Sequence, residues 1–176
     1  MEIVKYPAPS LFRKSKPVEK VDYELLTWVK EFVDFTQQPL GMRLLGMAAP
    51  QVGRNIRLFI AMGRIYVNPE LVWVTNAPKT LYKEGCFSLE HNKFDYEVYR
   101  ATSIRLKWED LTGATFEERF NGQKAQVILH ELDHLDGVMC IAKPEKDGIV
   151  TKETKTNDGI RNKRLASKAT PRKRKP

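Results

Sequence analysis

The spacing of apolar residues predicts one strong amphipathic helix in the N-terminal part of the chain, over residues 22–37. Its apolar positions recur at intervals of three and four residues: Leu25, Leu26, Val29, Phe32 and Val33. Asp22 can cap this helix, because a carboxylate at that position accepts a hydrogen bond from a free backbone N–H of the first turn. A short helical turn is predicted over residues 9–14.

Runs of β-branched and aromatic residues predict strands in the middle of the chain. The predicted strands cover residues 57–62, 66–67, 71–74, 103–108 and 115–120. The last two are joined by the turn sequence Asp110-Leu111-Thr112-Gly113. Strands followed by a helix, with few crossovers, predict an α+β fold in which largely antiparallel sheets pack around a central helix.

That central helix is predicted to begin after Asn121 as its cap, to run to about Leu135 and to end at Gly137. It contains His130-Glu131-Leu132-Asp133-His134, an H-E-x-x-H sequence. Residues four apart lie on one helix face, so both imidazoles can bind one metal ion, and Glu131 lies beside them to move protons. The pattern indicates metal-assisted attack of water on a carbonyl. The alternative is a half-buried helix whose histidines contact carbonyl groups or water.

A catalytic metal site of this kind needs a third protein ligand and an open position. No histidine follows His134, so the upstream candidates are Cys86 and His91. Acidic residues downstream are poorer candidates, because they lie too close along the helix or in a polar segment: Asp136, Glu145 and Glu153. Cys86 could instead be a buried free thiol, an interpretation that suits Cys140 better.

A third segment, Leu44-Leu45-Gly46-Met47-Ala48-Ala49-Pro50-Gln51-Val52-Gly53, is rich in small residues. Small residues let a backbone approach a ligand closely. The Gln51 amide can donate two hydrogen bonds, which suits an oxyanion. The alternative is a loop that leads into a strand.

Together the three segments resemble the peptide deformylase family, which carries G-x-G-x-A-A-x-Q, E-G-C-x-S and H-E-x-D-H motifs in this order. Here they read Leu44-Leu45-Gly46-Met47-Ala48-Ala49-Pro50-Gln51, Glu84-Gly85-Cys86-Phe87-Ser88 and His130-Glu131-Leu132-Asp133-His134. The resemblance spans about residues 1 to 142. It implies a metal-dependent hydrolase that removes the formyl group from N-formylmethionyl peptides and releases formate.

The resemblance also implies a role for each site residue. Cys86, His130 and His134 would hold Fe²⁺ or Zn²⁺, with Fe²⁺ expected to give the more active form. Glu131 would transfer the proton, while the Gln51 amide and the backbone N–H of Phe87 hold the oxyanion. The substrate main chain would bind at Gly46 and at strand-like residues near Leu89. Two rival functions remain open: a zinc peptidase that cuts internal bonds, and a non-catalytic binding protein that keeps the metal for structure.

The chain departs from the family pattern around the expected side-chain pocket. Leu44 replaces the first glycine, and Phe87 replaces the usual leucine after the cysteine. Helix geometry places Gln123 and Gln126 on the same side as the histidines, next to Val127. In the family the two glutamine positions are usually apolar, so we expect weaker selection for methionine. The alternative is that both amides turn to solvent.

Charge divides the 176-residue chain into two parts, which we predict to be a catalytic domain, 1–142, and a basic tail, 143–176. The tail holds 12 basic and 4 acidic residues, so the whole net charge of +8 lies there. Its few apolar residues predict disorder, and its charge can attract nucleic acid, although it could simply be a solvated tail. Because C-terminal extensions in the family can dock on the ribosome, the resemblance implies ribosomal RNA as the partner, although no motif of the family matches the tail.

Other features of the sequence bear on the cellular compartment of the protein. No run of about 18 apolar residues suggests a membrane span, and the N-terminus lacks the pattern of a signal peptide. The chain has two cysteines, one of them needed as a thiolate, which favours a reducing compartment. We therefore expect a cytoplasmic monomer that does not associate with membranes.

Overall fold

Two antiparallel sheets and two α-helices make up the fold in a computed structural model that describes residues 1–38, 44–89 and 96–142. The helices are α1 (Tyr23–Thr36) and α2 (Gln123–Leu135). The strands are β1 (Gly46–Ala48), β2 (Leu58–Ala61), β3 (Arg64–Val74), β4 (Thr80–Glu84), β5 (Tyr96–Arg100), β6 (Ser103–Glu109) and β7 (Thr115–Asn121). Short 3₁₀ helices cover Pro9–Phe12, Ala49–Val52 and Cys140–Ala142.

The larger sheet has five strands in the order β1-β2-β3-β6-β7, and β4 pairs with β5 in a separate sheet. All of these strand pairings are antiparallel. The prediction of an α+β fold with largely antiparallel sheets around a central helix is therefore confirmed. Neither helix in the described part of the chain has the length and apolarity that crossing a bilayer requires.

Helix α1 confirms the prediction made from its apolar spacing. Oδ1 of Asp22 accepts a hydrogen bond from the Leu25 N–H at 3.0 Å, which satisfies one free donor of the first turn. The buried face carries Leu25, Val29, Phe32 and Phe35 and packs in one cluster with β2. This cluster also contains Ala49 and Phe87, so α1 supports the segments that carry Gln51 and Cys86.

The strands near 66–67 and 71–74 are one continuous strand, β3, rather than two. Register shifts occur between Val67 and Glu70 and between Leu71 and Trp73. Asn68 has a positive φ of 49°, and its side chain bonds the backbone of Val18. Such bulges interrupt the alternation of inward and outward residues, so the sequence pattern breaks where the strand itself continues.

Helix α2 runs through the centre of the domain and ends as predicted, at a Gly137 with φ 73°. The predicted cap at Asn121 is wrong. Asn121 is the last residue of β7, where it pairs with Ser103, and Gly122 is the N-cap without a side-chain hydrogen bond. Gly122 has φ 56°, a conformation that glycine adopts readily, and it turns the chain from strand to helix within one residue.

The buried face of α2 packs on the larger sheet. Its Ala125, Ile128, Leu132 and Leu135 share a cluster with β2, β3, β6 and β7 residues that include Phe59, Tyr66 and Leu106. The helix also packs against β1 of the same sheet, and its two histidines lie close to Cys86 in the segment after β4, so the other two motifs are its neighbours. The predicted tail, 143–176, and His91 fall outside the described residues.

Candidate metal centre

One turn of α2 brings the two histidines of the H-E-x-x-H sequence together. Their Nε2 atoms lie 3.2 Å apart, and the ring planes are inclined by 85°. His134 is 1% exposed, which argues against the alternative that its ring contacts solvent water on a half-buried helix.

Cys86 completes the group from the segment after β4. Its Sγ lies 3.3 Å from His134 Nε2, and the ligand atoms of Cys86, His130 and His134 all lie within 4.8 Å of one another. A thiolate with two imidazoles is a donor set that suits Zn²⁺ and Fe²⁺. The three donors thus fit a single metal ion and leave further coordination positions for water and substrate.

The structure also separates the other candidate ligands from this group. Asp136 lies at the end of α2 and accepts a hydrogen bond from Arg57 at 2.8 Å. Cys140 is buried with an unpaired thiol, as its apolar surroundings predicted, and burial raises its pKa. His91, Glu145 and Glu153 lie outside the described residues.

A buried ion-pair network holds His130 in place, and sequence reasoning missed it. Oε2 of Glu84 lies 2.9 Å from Nδ1 of His130, so Nδ1 carries the proton and Nε2 is left to bind a metal. Arg100 donates two hydrogen bonds of 2.7 Å to the Glu84 carboxylate and a third to Asp133. Arg100 and Glu84 are each 3% exposed. The network therefore ties β4, β5 and α2 together behind the metal ligands.

The ionisation of Glu84 follows from these contacts. Burial by itself would raise its pKa, but the hydrogen bonds from Arg100 and the contact with His130 outweigh burial and lower the pKa to about 2. Glu84 and Asp133 lie in the motifs found in the sequence, but neither was assigned a role from the sequence alone. Arg100 belongs to no motif, and only the tertiary fold brings it to its partners.

The Gln51 side chain faces the same group from the 3₁₀ helix after β1. Its Oε1 accepts a hydrogen bond from the Ala48 N–H at 2.9 Å, which fixes the orientation of the amide. Its Nε2 consequently points into the site, 3.5 Å from Cys86 Sγ and 3.3 Å from Ser88 Oγ. Gln51 is 2% exposed, so this donor is preorganised in a dry environment.

Glu131 lies against the backbone of β1. It is 3% exposed, and its Oε2 has no hydrogen-bond partner among the described residues. Burial raises its pKa to about 7, although His130 nearby opposes the rise. A buried carboxylate with one uncommitted oxygen and a pKa near neutrality can both take up and return a proton.

A cavity of about 190 Å³ opens onto these groups. Most of the predicted site residues line it: Gly46, Gln51, Cys86, Phe87, Gln123, Gln126, Val127, His130 and Glu131. His134 lies behind the other two ligands. Lys83, which the sequence did not single out, also lines the cavity.

Leu89 does not line the cavity, which corrects the prediction of a strand-like peptide contact there. The residue is 3% exposed and packs in a cluster with Leu11, Val98 and Met139. Its N–H donates to the Cys86 carbonyl at 3.0 Å, a contact that belongs to a tight turn. Residues 90–95, which follow it, lie outside the described part of the chain.

The two glutamines of the cavity wall differ in what they contact. Gln126 is half-buried, and its Nε2 lies 3.4 Å from the Lys83 carbonyl, which links α2 to β4. Gln123, one turn earlier, is exposed. Gln126 therefore places a polar side chain, held by the Lys83 carbonyl, at the wall of the cavity, while Gln123 lies on its exposed side.

Comparison with known proteins gives one consistent result. The family model of polypeptide deformylases matches residues 1–148. A peptide deformylase from Novosphingobium aromaticivorans is 32% identical over 168 residues, with 80% of this chain and 86% of the relative covered. One from Phenylobacterium zucineum is 34% identical over 151 residues, with 80% and 85% covered.

Solved structures agree with these relatives. The crystal structure of Arabidopsis thaliana peptide deformylase 1B with an inhibitor has a TM-score of 0.73 at 29% identity and covers 84% of this chain and 83% of that one. The peptide deformylase from Thermotoga maritima has a TM-score of 0.72 at 30% identity, with 84% and 96% covered.

Proposed function

The chain belongs to the polypeptide deformylase family, a metal-dependent family that removes the N-formyl group from nascent polypeptides, and we propose how its own residues carry out this hydrolysis. The observation that supports the proposal most strongly is the convergence of Cys86, His130 and His134 beside Glu131 and Gln51 on one cavity. Family membership argues against the two rival functions, cleavage of internal peptide bonds and a purely structural metal site.

We assign Cys86, His130 and His134 as the metal ligands. When bound there, a divalent ion would lower the pKa of water towards neutrality and polarise the formyl carbonyl. By resemblance to the family we propose Fe²⁺ as the native ion, with Zn²⁺ as the alternative. The donor set itself accepts both ions, and the affinity order does not decide between them. Glu84 supports the ligand set by accepting a hydrogen bond from the Nδ1–H of His130.

Glu131 is the proposed general base and general acid. It takes the proton from the attacking water and returns it to the amine that leaves, so that formate and a free N-terminus result. Its burial and its uncommitted Oε2 support both steps. Gly46 leaves the space in which the carboxylate lies.

The negative charge on the formyl oxygen needs donors that are already oriented. We assign this role to Nε2 of Gln51 and to the backbone N–H of Phe87. The hydrogen bond from Ala48 supports the first assignment, because it leaves the Gln51 amide no freedom to present its oxygen instead. The position of Phe87 on the cavity wall supports the second.

The substrates are N-formylmethionyl peptides, and we propose that their first side chain binds between Gln126, Val127 and Gly46. Gln123 and Lys83 lie at the polar rim of this pocket. A wall that contains amides offers less apolar contact to methionine than one lined only by hydrocarbon. We therefore propose that this chain selects methionine less strictly and accepts longer or more polar first residues.

The remaining proposals concern the surroundings of the enzyme. Residues 1–142 form the catalytic domain, and the basic residues of 143–176 support a contact with ribosomal RNA through phosphate neutralisation. A thiolate ligand and substrates that emerge from ribosomes support a cytoplasmic location. We propose that the active unit is a monomer, because each assigned site residue comes from the same chain.

Formate release tests the proposed function directly. The purified chain loaded with Fe²⁺ should release formate from a short formyl-Met peptide and leave the internal peptide bonds intact. Internal cleavage without formate release would instead support the zinc peptidase.

A further inference from the structure

Arg105 and Arg119 lie directly opposite each other on the neighbouring strands β6 and β7. Both point to the face of the large sheet away from α2, because the alternate residues Ile104 and Leu106 are buried against that helix. Like charges directly opposite each other on paired strands destabilise a sheet. The arrangement therefore needs an anion or another compensating contact.

The third member of this row is aromatic. Trp73 of β3 pairs with Arg105 on its other side, so Trp73, Arg105 and Arg119 form one row across three strands, here called the Trp73 row. The Trp73 residue is 41% exposed, and the guanidinium carbon of Arg119 lies 5.3 Å from the centroid of the ring. An exposed indole thus adjoins two guanidinium groups.

The described residues neutralise the positive charge of the row only weakly. Arg105 contacts Glu117 at 3.4 Å, in a pair whose side chains are 54% and 47% exposed, and such surface pairs contribute little. Nε of Arg119 donates to the uncharged Ser103 hydroxyl at 2.8 Å. The next row across the sheet places Lys107 between Glu70 and Glu117, so that row, unlike the Trp73 row, carries compensating carboxylates on both sides of its cation.

We propose that the Trp73 row binds single-stranded RNA, with a phosphate between the two arginines and a base against the indole. Guanidinium groups bind phosphate through paired hydrogen bonds, and exposed aromatic rings stack on bases without regard to sequence. One nucleotide supplies both a phosphate and a base, a combination that an acidic peptide lacks. The net charge of +8, which lies in residues 143–176 and not in the row, attracts a polyanion to the chain over longer distances. The proposal is independent of the deformylase site.

Anisotropy of a fluorescein-labelled single-stranded RNA, measured over a series of KCl concentrations with the full-length chain, tests the proposal. Replacing both arginines (Arg105→Gln with Arg119→Gln) should weaken binding at least about fivefold. It should also reduce the salt slope, the dependence of the logarithm of the binding constant on the logarithm of the KCl concentration, by about 0.7 for each phosphate that is no longer neutralised. Replacing both by lysine should preserve the slope. Trp73→Ala should weaken binding by about fivefold or more at an unchanged slope, because stacking releases no counterions.

Arg64→Gln is the matched control, since Arg64 is an exposed arginine that pairs with Glu118 on the other face of the same sheet. It removes one positive charge where the double variant removes two, and it should change affinity less than about twofold. Formate release should be the same in all variants, which shows that each is folded. The proposal is overturned if the double glutamine variant and Arg64→Gln bind RNA equally well, or if an acidic peptide binds the row more tightly than RNA.

Discussion

A Cβ atom on residue 46 would lie 2.5 Å from Oε1 of Glu131, a distance that no side chain tolerates. Gly46 is thus the residue that lets the proposed general base lie against β1. Only glycine leaves this space, although Gly46 lies in a strand, where glycine is otherwise unfavourable.

Gly46→Ala should displace the Glu131 carboxylate and lower kcat by roughly 10²-fold, because a shift of about 1 Å in a catalytic group has an effect of this order. Metal content and thermal midpoint should stay close to those of the unaltered chain. Adding Glu131→Asp, which shortens the acid, tests the contact itself. The two changes together should be less harmful than the product of their separate effects. Independent effects would show that Gly46 does not act through Glu131.

Arg100→Met should destabilise the fold by about 3–5 kcal/mol, because it removes the guanidinium that compensates the buried Glu84 carboxylate. It should also weaken metal binding by about 10- to 100-fold, since His130 would no longer be supported. Urea unfolding and metal titration measure the two effects. The control is Arg64→Met, at a pair 61% and 47% exposed, where the cost should be below about 1 kcal/mol. Equal costs at both sites would contradict the role given to the network.

Gln126→Ile should raise the preference for formyl-Met over formyl-Gln peptides, since it replaces an amide by hydrocarbon at the pocket wall. A change of about 1–3 kcal/mol in discrimination is expected from one such contact. The measurement is kcat/KM for both peptides. Gln123→Ile is the matched comparison and should have the smaller effect, because Gln123 is more exposed. An unchanged ratio in the Gln126 variant would show that the residue does not contact the first side chain.

The identity of the metal can be tested by loading the same apoprotein with Fe²⁺ or with Zn²⁺ in the absence of oxygen. Fe²⁺ should give the faster formate release and lose activity in air as the iron or the Cys86 thiolate is oxidised. Zn²⁺ should give a slower, air-stable enzyme. Equal and air-stable rates would rule out iron as the ion that this site requires.

Much of the fold was predictable where a local pattern decided the structure. The apolar spacing and Asp22 placed α1, and the spacing of His130 and His134 placed both rings on one side of α2. Strands β4 and β5 were missed, because their half-exposed residues show little apolar alternation. They are stabilised by pairing with each other, which a single segment does not reveal.

The site was predictable to the extent that its residues lie in motifs. Arg100 was not, because it meets Glu84 and Asp133 from positions 16 and 33 residues away along the chain. The same limit applies to Leu89, which the family resemblance placed at the substrate main chain, whereas its side chain packs in the cluster around Leu11. Contacts that depend on how separate elements pack cannot be predicted from the spacing of residues within one segment.

The central claim is that Cys86 and the two histidines hold the metal while Glu131 moves the proton. Metal content and formate release, measured in parallel on purified Cys86→Ala and Glu131→Gln, test it most directly. Cys86→Ala should lose both metal and activity. Glu131→Gln should keep the metal and lose activity by at least about 10²-fold, the usual contribution of general acid–base catalysis. Full metal occupancy in Cys86→Ala, or near-normal formate release by Glu131→Gln, would contradict the account.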